Sequence, residues 1–539
     1  MRKSDEQEGV KLLTGVEKRK DGVSVVENKI KIIFDLVHGY VEIDQDVESI
    51  IDTASFQRLK FIGQLTARHL FPSANHTRFE HSLGVMKLAN DAYCHISKEL
   101  KSNIEEHILG HSDFLREHSI EDRLLFLQMH LQYAALLHDV GHAPLSHIGE
   151  KFYVKEEIET NLSTFGVDKA STEKGSAHEL MSCYVIAKNF REQLNSIFSS
   201  LKNPRIQLDL DFICRIITGT KYCGREAKSW RNFWDRNIII ELINGTFDVD
   251  KMDYLMRDNY MTGNVGGFID KQRILSFLAI SETKHVCFKI GALSSLKKLI
   301  DCRDSLYMWV CNHHIVVYTD YLYAQCLSHL FSLYQEENNL FSNPSLYPEA
   351  VNKKELFSCE AIADKKVTDN DVYYYIQRAT NLCRSKDENI HATTPILLNQ
   401  LTDRTFLKTS WKTLFDYNQF LKRFSDINRD KVPKFVQNDE ARSSLQTHIE
   451  EKLSIRKGEL AIPHKQNNFY DISELYIYKN ENGTKKAYKL KELLPPRDYK
   501  LLCGDVAFYV FVKDKAIMNR VLEYFVQYVN ENIHDFLQQ

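Results

Sequence analysis

The chain has 539 residues, of which 43% are apolar and 27% charged, so it can form more than one folded domain and has an ordinary soluble composition. Seventy basic against 73 acidic side chains give a net charge of -3, which excludes a global attraction to nucleic acid or to an anionic membrane. The 11 cysteines form no C-x-x-C pair, and we find neither a signal region nor a long uncharged apolar run, so we expect a reducing, cytoplasmic compartment without export or a membrane span.

The first part of the chain changes from charged to periodic sequence. Residues 1–28 are charged and lack apolar periodicity, which predicts an N-terminal arm without a core of its own. Ile30 to Val41 is rich in β-branched residues and has Gly39 at a turn. Val47 to Leu65 repeats apolar side chains at helical spacing, which predicts one helix.

Two further helices are predicted to carry metal-ligand residue types at their ends. One begins near Arg78 and places His81 in its first turn, although His81 taken alone would fit a hydrogen-bonded core histidine better than a metal ligand. The other covers Leu124 to Leu137 and leads directly into His138 and Asp139. An adjacent imidazole and carboxylate can occupy neighbouring positions on one divalent ion, and mixed nitrogen and oxygen ligands suit Mg, Mn, Fe or Zn.

The residues after this pair predict a return of the chain to the same space. Gly141 and Pro144 break the helix, so His142 and His147 turn back toward the His-Asp pair. Glu150 to Gly175 is polar and interrupted, which predicts a long loop or lid beside the site.

Helical patterns continue through the middle of the chain. Phe247 to Asp258 predicts a helix with Asp250 and other polar residues on one face, turned either to water or to a cleft. Leu293 to Tyr334 predicts one or two long helices that carry Arg303.

The composition changes after Glu336. Polar, helix-poor patches at Glu336 to Glu355, Arg384 to Ala392 and Asp426 to Ser443 alternate with shorter helices. Short strands are predicted at Leu475 to Tyr478 and Val506 to Val512, before a final amphipathic helix over 517–529. These patterns predict a mainly α fold with an arm at 1–28, a helical catalytic core at 29–335 and a smaller α+β lobe at 336–539. Our hypothesis for the lobe, which these patterns do not themselves supply, is a role in regulation or oligomerisation.

The candidate ligands resemble the H...HD...D signature of HD-domain metal-dependent phosphohydrolases. Longer runs are more specific, and they lie at Ile51 to Leu59, Arg78 to Val85 and Asp248 to Asp258. They resemble the deoxynucleoside triphosphate (dNTP) triphosphohydrolases, which include bacterial dGTPases and the animal enzyme that joins a sterile-alpha-motif domain to an HD domain. The resemblance is dense from Lys31 to Tyr334 and weak afterwards, where Leu494-Pro495 is one of its matches, and no segment resembles the sterile-alpha-motif domain.

The resemblance implies a role for each matching position. The implied metal ligands are His81, His138, Asp139 and Asp250. The residues implied around the α-phosphate are His142, His147 and His178, with Glu150 and Glu179 as carboxylates that orient or charge these imidazoles. The implied substrate contacts are Gln64, Leu65, Arg78, Lys251, Tyr254, Asp258 and Arg303.

The implied activity is hydrolysis of a dNTP at the α-phosphate to a deoxynucleoside and triphosphate, in the control of dNTP pools or in antiviral defence. The three basic contacts would hold the triphosphate, and a bound metal would activate water. The departing 5'-oxygen needs a proton, for which His147 is the first candidate and His142 the second. Tyr254 would flank the sugar, whose 3'-hydroxyl Gln64 and Asp258 would bind, and Leu65 would crowd a 2'-hydroxyl.

The resemblance also implies a regulatory nucleotide at a subunit interface, and therefore a homo-oligomer, with a tetramer favoured. The matching activator contacts are Lys31, Asp52, Gln57, Lys60 and Phe79. The neighbouring activator site is altered at Phe34 and Gly291, where the family has Asn and Lys. Cys311 stands where the family has a Tyr that packs on the sugar, so the resemblance does not assign the base and sugar contacts on that side of the site.

Two other interpretations remain. Another HD hydrolase, acting on a cyclic nucleotide, a guanosine polyphosphate or a nucleoside monophosphate, would not need the sugar contacts. A catalytically silent nucleotide sensor or single-strand nucleic-acid binder is disfavoured by the four intact ligand positions and by the near-neutral net charge.

Overall fold

The computed structural model describes residues 30–108, 119–223, 234–264, 269–339, 349–385, 393–465, 475–481, 484–493 and 506–536. The predicted arm at 1–28, most of the polar patch Arg384 to Ala392 and the match at Leu494-Pro495 lie outside the described residues.

Helices dominate the described chain, so the predicted mainly α fold class is confirmed. The helices before residue 340 are α1 Gln45–Ile51, α2 Ala54–Gln57, α3 Arg78–Ile108, α4 Ile120–Leu137, α5 His147–Glu150, α6 Lys155–Ser163, α7 Ala177–Val185, α8 Arg191–Ser200, α9 Leu210–Thr218, α10 Trp234–Ile243, α11 Val249–Thr262, α12 Lys271–Ser276, α13 Leu293–Leu306 and α14 His314–Asn339. The later helices are α15 Lys353–Phe357, α16 Cys359–Ala363, α17 Asp369–Ser385, α18 Thr393–Thr402, α19 Leu414–Leu421, α20 Asp426–Arg429, α21 Val432–Gln437, α22 Asp439–Leu453, α23 Leu490–Leu493 and α24 Met518–Phe536.

The strands form three small sheets. They are β1 Lys31–Asp35, β2 Gly39–Ile43, β3 Leu278–Ile280, β4 Val286–Lys289, β5 Lys408–Thr409, β6 Leu460–Ala461, β7 Tyr476–Glu481, β8 Thr484–Lys489 and β9 Phe511–Val512. The sheet orders are β1-β2, β3-β4-β7-β8 and β5-β9-β6. Because β4 pairs in parallel with β7, the predicted core and the predicted C-terminal lobe share one sheet.

The helices that position the site follow from their sequences. Ser119 caps α4 by accepting a hydrogen bond from Asp122 N, and the second half of α4 is buried almost all round. Asp248 caps α11 in the same way through Lys251 N, and Gly263 ends it at a φ of 70°. α3 packs along α4 and against α11, so the first turns of α3 and α11 meet the C-terminal end of α4.

Two predicted elements were wrong. The single helix over Val47 to Leu65 is α1, α2 and a 3-10 turn at Arg58–Phe61, because the Thr53 hydroxyl accepts a hydrogen bond from Phe56 N and starts a new helix. The predicted loop at Glu150 to Gly175 contains α6, whose Ile158 and Leu162 lie four residues apart and are buried.

A third prediction was also wrong: the patch Asp426 to Ser443, predicted to be poor in helix, contains α20, α21 and the start of α22. The other element predictions differ from the structure mainly in their ends. The predicted strand at Val506 to Val512 is limited to Phe511–Val512, while the final helix is longer than predicted. No described helix combines the length and the apolar character that a membrane crossing needs. The ten described cysteines are all free.

Candidate active site

The ends of three helices bring the four predicted metal ligands together. His81 Nε2, in the first turn of α3, lies 3.0 Å from Asp250 Oδ1 of α11 and 3.3 Å from His138 Nε2 at the end of α4. The Asp139 carboxylate lies 3.5 Å from His138 Nε2 and 3.7 Å from His81 Nε2. His81, His138 and Asp250 therefore offer ligand atoms within 4.8 Å of one another, and the Asp139 carboxylate lies beside both imidazoles.

The other ring nitrogen of each histidine has a hydrogen-bond acceptor. His81 Nδ1 donates to Asp253 Oδ2 at 2.7 Å, and His138 Nδ1 donates to the carbonyl oxygen of Ala135 at 2.8 Å. In the neutral form, which a metal ligand requires, each ring would therefore carry its proton on Nδ1, and the Nε2 lone pairs of His81 and His138 would face each other. Two opposed lone pairs flanked by two carboxylates fit a divalent cation.

The charges around this space follow from burial and close pairing. Burial lowers the pKa of His81, but hydrogen bonds with Asp250 and Asp253 outweigh that effect and raise the pKa to about 10. Burial raises the pKa of Asp139, but the Arg78 guanidinium and the neighbouring His138 hold it well below its usual range. The ligand carboxylates are therefore ionised at neutral pH.

Asp253 is a functional residue that the sequence interpretation missed. It is fully buried and accepts hydrogen bonds from His81, from His38 Nε2 at 2.5 Å and from both Nε and Nη2 of Arg257 at 2.9 Å. One sequence feature could have revealed this residue: Asp253 lies three residues after Asp250, one helical turn further along α11 and on a neighbouring position of its surface.

Gly84 of α3 makes room for this carboxylate. A Cβ at residue 84 would lie 2.0 Å from Asp253 Oδ1 and 2.5 Å from Arg257 Nη2. The close crossing of α3 and α11 at the site therefore needs glycine there.

A second group lies beside the first, and Glu150 is its centre. Glu150 Oε1 is 3.0 Å from His147 Nδ1 and 3.2 Å from His142 Nδ1, while Oε2 is 3.0 Å from His178 Nδ1. The rings of His142 and His178 stack with centroids 4.6 Å apart. These four residues also offer ligand atoms within 4.8 Å of one another, so the group has metal-ligand chemistry of its own.

The imidazoles of this group differ in charge. Burial opposes ionisation of Glu150, but the three imidazoles around it hold its pKa well below the usual range. Burial lowers the pKa of His178, and the Glu150 carboxylate more than reverses this and raises it to about 9. His142 is fully buried, and burial together with Arg78 keeps its pKa well below the usual range.

Glu179, the second predicted carboxylate, has other partners. Its Oε2 accepts from the backbone N–H of Ser176 at 2.7 Å and its Oε1 from Asn244 Nδ2 at 2.9 Å, so it closes the N-terminal capping box of α7. It adds negative charge near His178 but does not hold that ring.

One cavity of about 950 Å³ joins both groups. The predicted site residues that line it are Gln64, Leu65, Arg78, His138, Asp139, His147, His178, Glu179, Asp250, Lys251, Tyr254 and Asp258. The α14 and C-terminal residues Asp320, Asp439, Arg442, His464 and Lys465 also line it, and the sequence interpretation missed them because they are far away in the chain.

The predicted phosphate-binding cations all have partners within the protein. Arg78 donates from Nη1 to Asp139 Oδ2 at 2.8 Å and from Nε to Ser146 Oγ at 3.2 Å. Lys251 Nζ is paired with the Asp248 carboxylate. The Arg303 guanidinium lies 4.4 Å from the ring centroid of Tyr307.

The predicted sugar contacts lie on one wall of the cavity. Asp258 Oδ1 accepts from His76 Nε2 at 2.7 Å, and Gln64 Oε1 is buried without a hydrogen-bond partner among the described residues. His76 therefore holds the carboxylate that the resemblance assigns to the 3'-hydroxyl. Tyr307, one turn before Cys311, supplies an aromatic ring to the cavity.

The five predicted regulatory contacts lie on β1, around α1 and α2, and at the start of α3. Lys31 pairs with Glu48, Gln57 Nε2 donates to the Ile51 carbonyl at 2.8 Å, and Lys60 Nζ lies 4.6 Å from the centroid of the Phe79 ring. Asp52 is exposed.

Comparison with known proteins agrees with the resemblance. No protein-family model matches the chain. The deoxynucleoside triphosphate triphosphohydrolase SAMHD1 of Bos taurus is 29% identical over 308 residues, which are 54% of this chain and 46% of that protein. The SAMHD1 homolog of Dictyostelium discoideum is 29% identical over 303 residues, 55% of this chain and 49% of that protein. The predicted resemblance is confirmed, and the chain spans about half the length of the curated relatives it matches.

Solved structures support the fold. A hypothetical protein from Aquifex aeolicus has a TM-score of 0.54 at 20% identity and covers 92% of this chain and 100% of its own. A phosphohydrolase from Bacteroides thetaiotaomicron has a TM-score of 0.56 at 20% identity and covers 90% of this chain and 100% of its own. At this identity the likeness concerns the fold alone.

Proposed function

We propose that this protein is a metal-dependent hydrolase that cleaves dNTPs at the α-phosphate into a deoxynucleoside and triphosphate. The observation that carries the proposal is the cluster of His81, His138 and Asp250, with Asp139 beside both imidazoles, at a cavity that His147 and His178 of the Glu150 group also line. The names of the sequence relatives support the substrate class.

His81, His138, Asp139 and Asp250 would hold the metal. When bound, the metal would supply Lewis acidity toward water and a phosphoryl oxygen. Asp253 and the Ala135 carbonyl hold the two imidazoles with Nε2 toward the ion.

The neighbouring cations would hold the triphosphate. This group brings about four negative charges, and guanidinium groups match phosphate oxygens in pairs. Arg78, Lys251 and Arg303 supply charge, and His178, with its pKa of about 9, is an imidazolium at neutral pH. Substrate phosphate would compete with Asp139 and Asp248 for the two cations that these carboxylates now hold.

His147 is the preferred proton donor to the departing 5'-oxygen. Its side chain is 65% exposed, and its Nδ1 faces Glu150, which leaves Nε2 available to the substrate. His142 is fully buried with a depressed pKa, which makes it a weaker candidate.

Leu65, Gln64 and Asp258 would select deoxyribose. A 2'-hydroxyl against the Leu65 side chain would lose its water partners at a cost of about 1 to 3 kcal/mol. That cost gives a preference of roughly ten- to hundredfold for deoxynucleotides.

A panel of dNTPs and NTPs tests the proposal with the wild-type chain and His138→Ala, both loaded with Mg, Mn, Fe or Zn in turn. We expect hydrolysis of dNTPs at least tenfold faster than of the matching NTPs, and loss of both metal and activity in His138→Ala. Equal rates on dGTP and GTP would contradict the sugar assignment. Full turnover and metal content in His138→Ala would contradict the metal assignment.

We also propose that the protein is a nucleotide-regulated homo-oligomer, with a tetramer favoured. The β1-β2 hairpin exposes Ile32, Phe34, Leu36 and Tyr40 by 61 to 69%, and an apolar patch of this kind is typical of an interface. It begins at Lys31, a predicted activator contact, so nucleotide binding and assembly would be linked. Mass photometry across a nucleotide matrix tests this, and a monomer whose mass and activity no nucleotide changes would refute it.

A further inference from the structure

Asp369, the first residue of α17, connects two loops of the candidate active site. It is 6% exposed and accepts hydrogen bonds from Gly63 N at 3.0 Å through Oδ2 and from Leu145 N at 2.7 Å through Oδ1. Gly63 directly precedes the predicted sugar contacts, and Leu145 lies two residues before His147. One carboxylate therefore ties the sugar loop, 62–66, to the histidine loop, 142–147.

The histidine loop has a conformation that needs such support. Leu145 and Ser146 have φ angles of 61° and 50°, in the region that residues with a Cβ adopt at a cost and keep only where the surroundings hold them. The Ser146 hydroxyl donates to the Gly63 carbonyl at 2.6 Å. The same two loops are thus joined a second time.

The segment before Asp369 holds the histidine loop at another point. Arg58, which is buried, donates from Nε to the Val367 carbonyl at 2.7 Å and from Nη2 to the His142 carbonyl at 2.8 Å. Residues 367–369 therefore support both ends of the histidine loop from outside the three helices that carry the metal ligands.

We propose that Asp369 is a positioning residue that fixes the sugar loop and the histidine loop in one relative geometry. The inference rests on the proposed function, because it links sugar selection to proton donation. Both carboxylate oxygens are used, one for each loop, so an amide in the same place can accept from only one of the two backbone N–H groups. Loss of either bond would let the loops move relative to each other, and small misplacements at a reacting centre lower the rate strongly.

Asp369→Asn and Asp371→Asn form a matched pair for the test. Asp371 is exposed on the same helix, and its acceptor bonds among the described residues come from the backbone N–H and hydroxyl of Thr368, so its substitution alters a helix cap without touching either loop. In metal-loaded Asp369→Asn we expect unchanged metal content, a fall in kcat of about tenfold or more, and a dGTP to GTP ratio that falls toward one. Hydrogen exchange at the Gly63 and Leu145 amides should be faster than in the wild type.

Asp371→Asn should keep the wild-type kcat, the wild-type dGTP to GTP rate ratio and the wild-type hydrogen exchange at the Gly63 and Leu145 amides. If Asp369→Asn does not fold, Ser146→Ala, which removes the second link, should lower the ratio in the same direction. If the two Asn variants had equal kcat, equal dGTP to GTP rate ratios and equal amide exchange, this inference would be overturned while the proposed function would stand. An unchanged dGTP to GTP rate ratio in Ser146→Ala would have the same consequence. A wild-type chain inactive on every dNTP would overturn the proposed function, and the inference with it.

Discussion

At the residue scale, metal binding should depend on a carboxylate that does not face the metal. Asp253 holds His81 through Nδ1, and loss of such a partner commonly lowers metal affinity by roughly ten- to hundredfold. We therefore expect Asp253→Asn to bind metal at least tenfold more weakly in a metal titration. Asp91→Asn, at a partly exposed ion pair with Lys87 on the same helix as His81, is the control. Unchanged affinity in folded Asp253→Asn would show that His81 needs no such partner.

The charge on His178 predicts a pH dependence. Its pKa of about 9 lies above the ordinary value of 6.5, so the imidazolium persists to about pH 9, and the stability it contributes is complete below 6.5 and lost as the pH rises through 9. If His178 binds phosphate as a cation, activity should decline over that same alkaline range.

Glu150→Gln tests whether the Glu150 carboxylate keeps His178 charged. Because Glu150 raises the pKa of His178, its loss should move the alkaline decline of kcat down by about one pH unit or more. Glu156→Gln, at an exposed position on α6, should leave the profile in place. An alkaline decline at the same pH in both variants would remove His178 from this role.

At the element scale, the close crossing of α3 and α11 depends on Gly84, which has no side chain. In Gly84→Ala the new Cβ would overlap Asp253 Oδ1, and overpacking of this kind costs about 1 to 3 kcal/mol. We expect a lower Tm and weaker metal binding, because the displaced carboxylate is the one that holds His81. Lys98→Ala, exposed on the same helix, is the control in both measurements. A Gly84→Ala variant with wild-type Tm and affinity would contradict this packing.

The elements that carry the ligands could be predicted because their signals are local. The spacing of apolar and polar residues predicts α4 and α11, and α3 begins at Arg78 as predicted. The helix predicted over Val47 to Leu65 was wrong because a single hydroxyl, that of Thr53, starts a new helix within an unbroken apolar repeat. Periodicity therefore gives the existence of an element more reliably than its ends.

At the scale of the whole molecule, the sequence could not reveal contacts between distant segments. His38 and Asp253 are 215 residues apart, and Asp369 and Leu145 are 224 apart. The predicted metal ligands could be recognised in the sequence because their residue types and order resemble a known signature. The residues that position these ligands could not be recognised in the same way. In the sequence Asp253 and Asp369 are carboxylates without a distinguishing pattern, and only the fold shows that Asp253 binds an imidazole ring and Asp369 binds two loops.

The C-terminal part of the chain contributes to the cavity as well. It is lined by Arg442, His464 and Lys465 together with residues of the helices that carry the predicted metal ligands, and β7 extends the sheet of β4. The boundary predicted at residue 336 stays a prediction, and the cleft between α3, α4 and α11 is completed by residues on both sides of it.

The position of the bond that breaks is the central claim, and hydrolysis in water labelled with a heavy oxygen isotope tests it most directly. Attack at the α-phosphorus with departure of the 5'-oxygen should give unlabelled deoxynucleoside and intact triphosphate that carries one labelled oxygen, both measured by mass spectrometry of a metal-loaded reaction. Release of a nucleoside monophosphate with pyrophosphate, of a nucleoside diphosphate with phosphate, or of labelled deoxynucleoside would contradict the account.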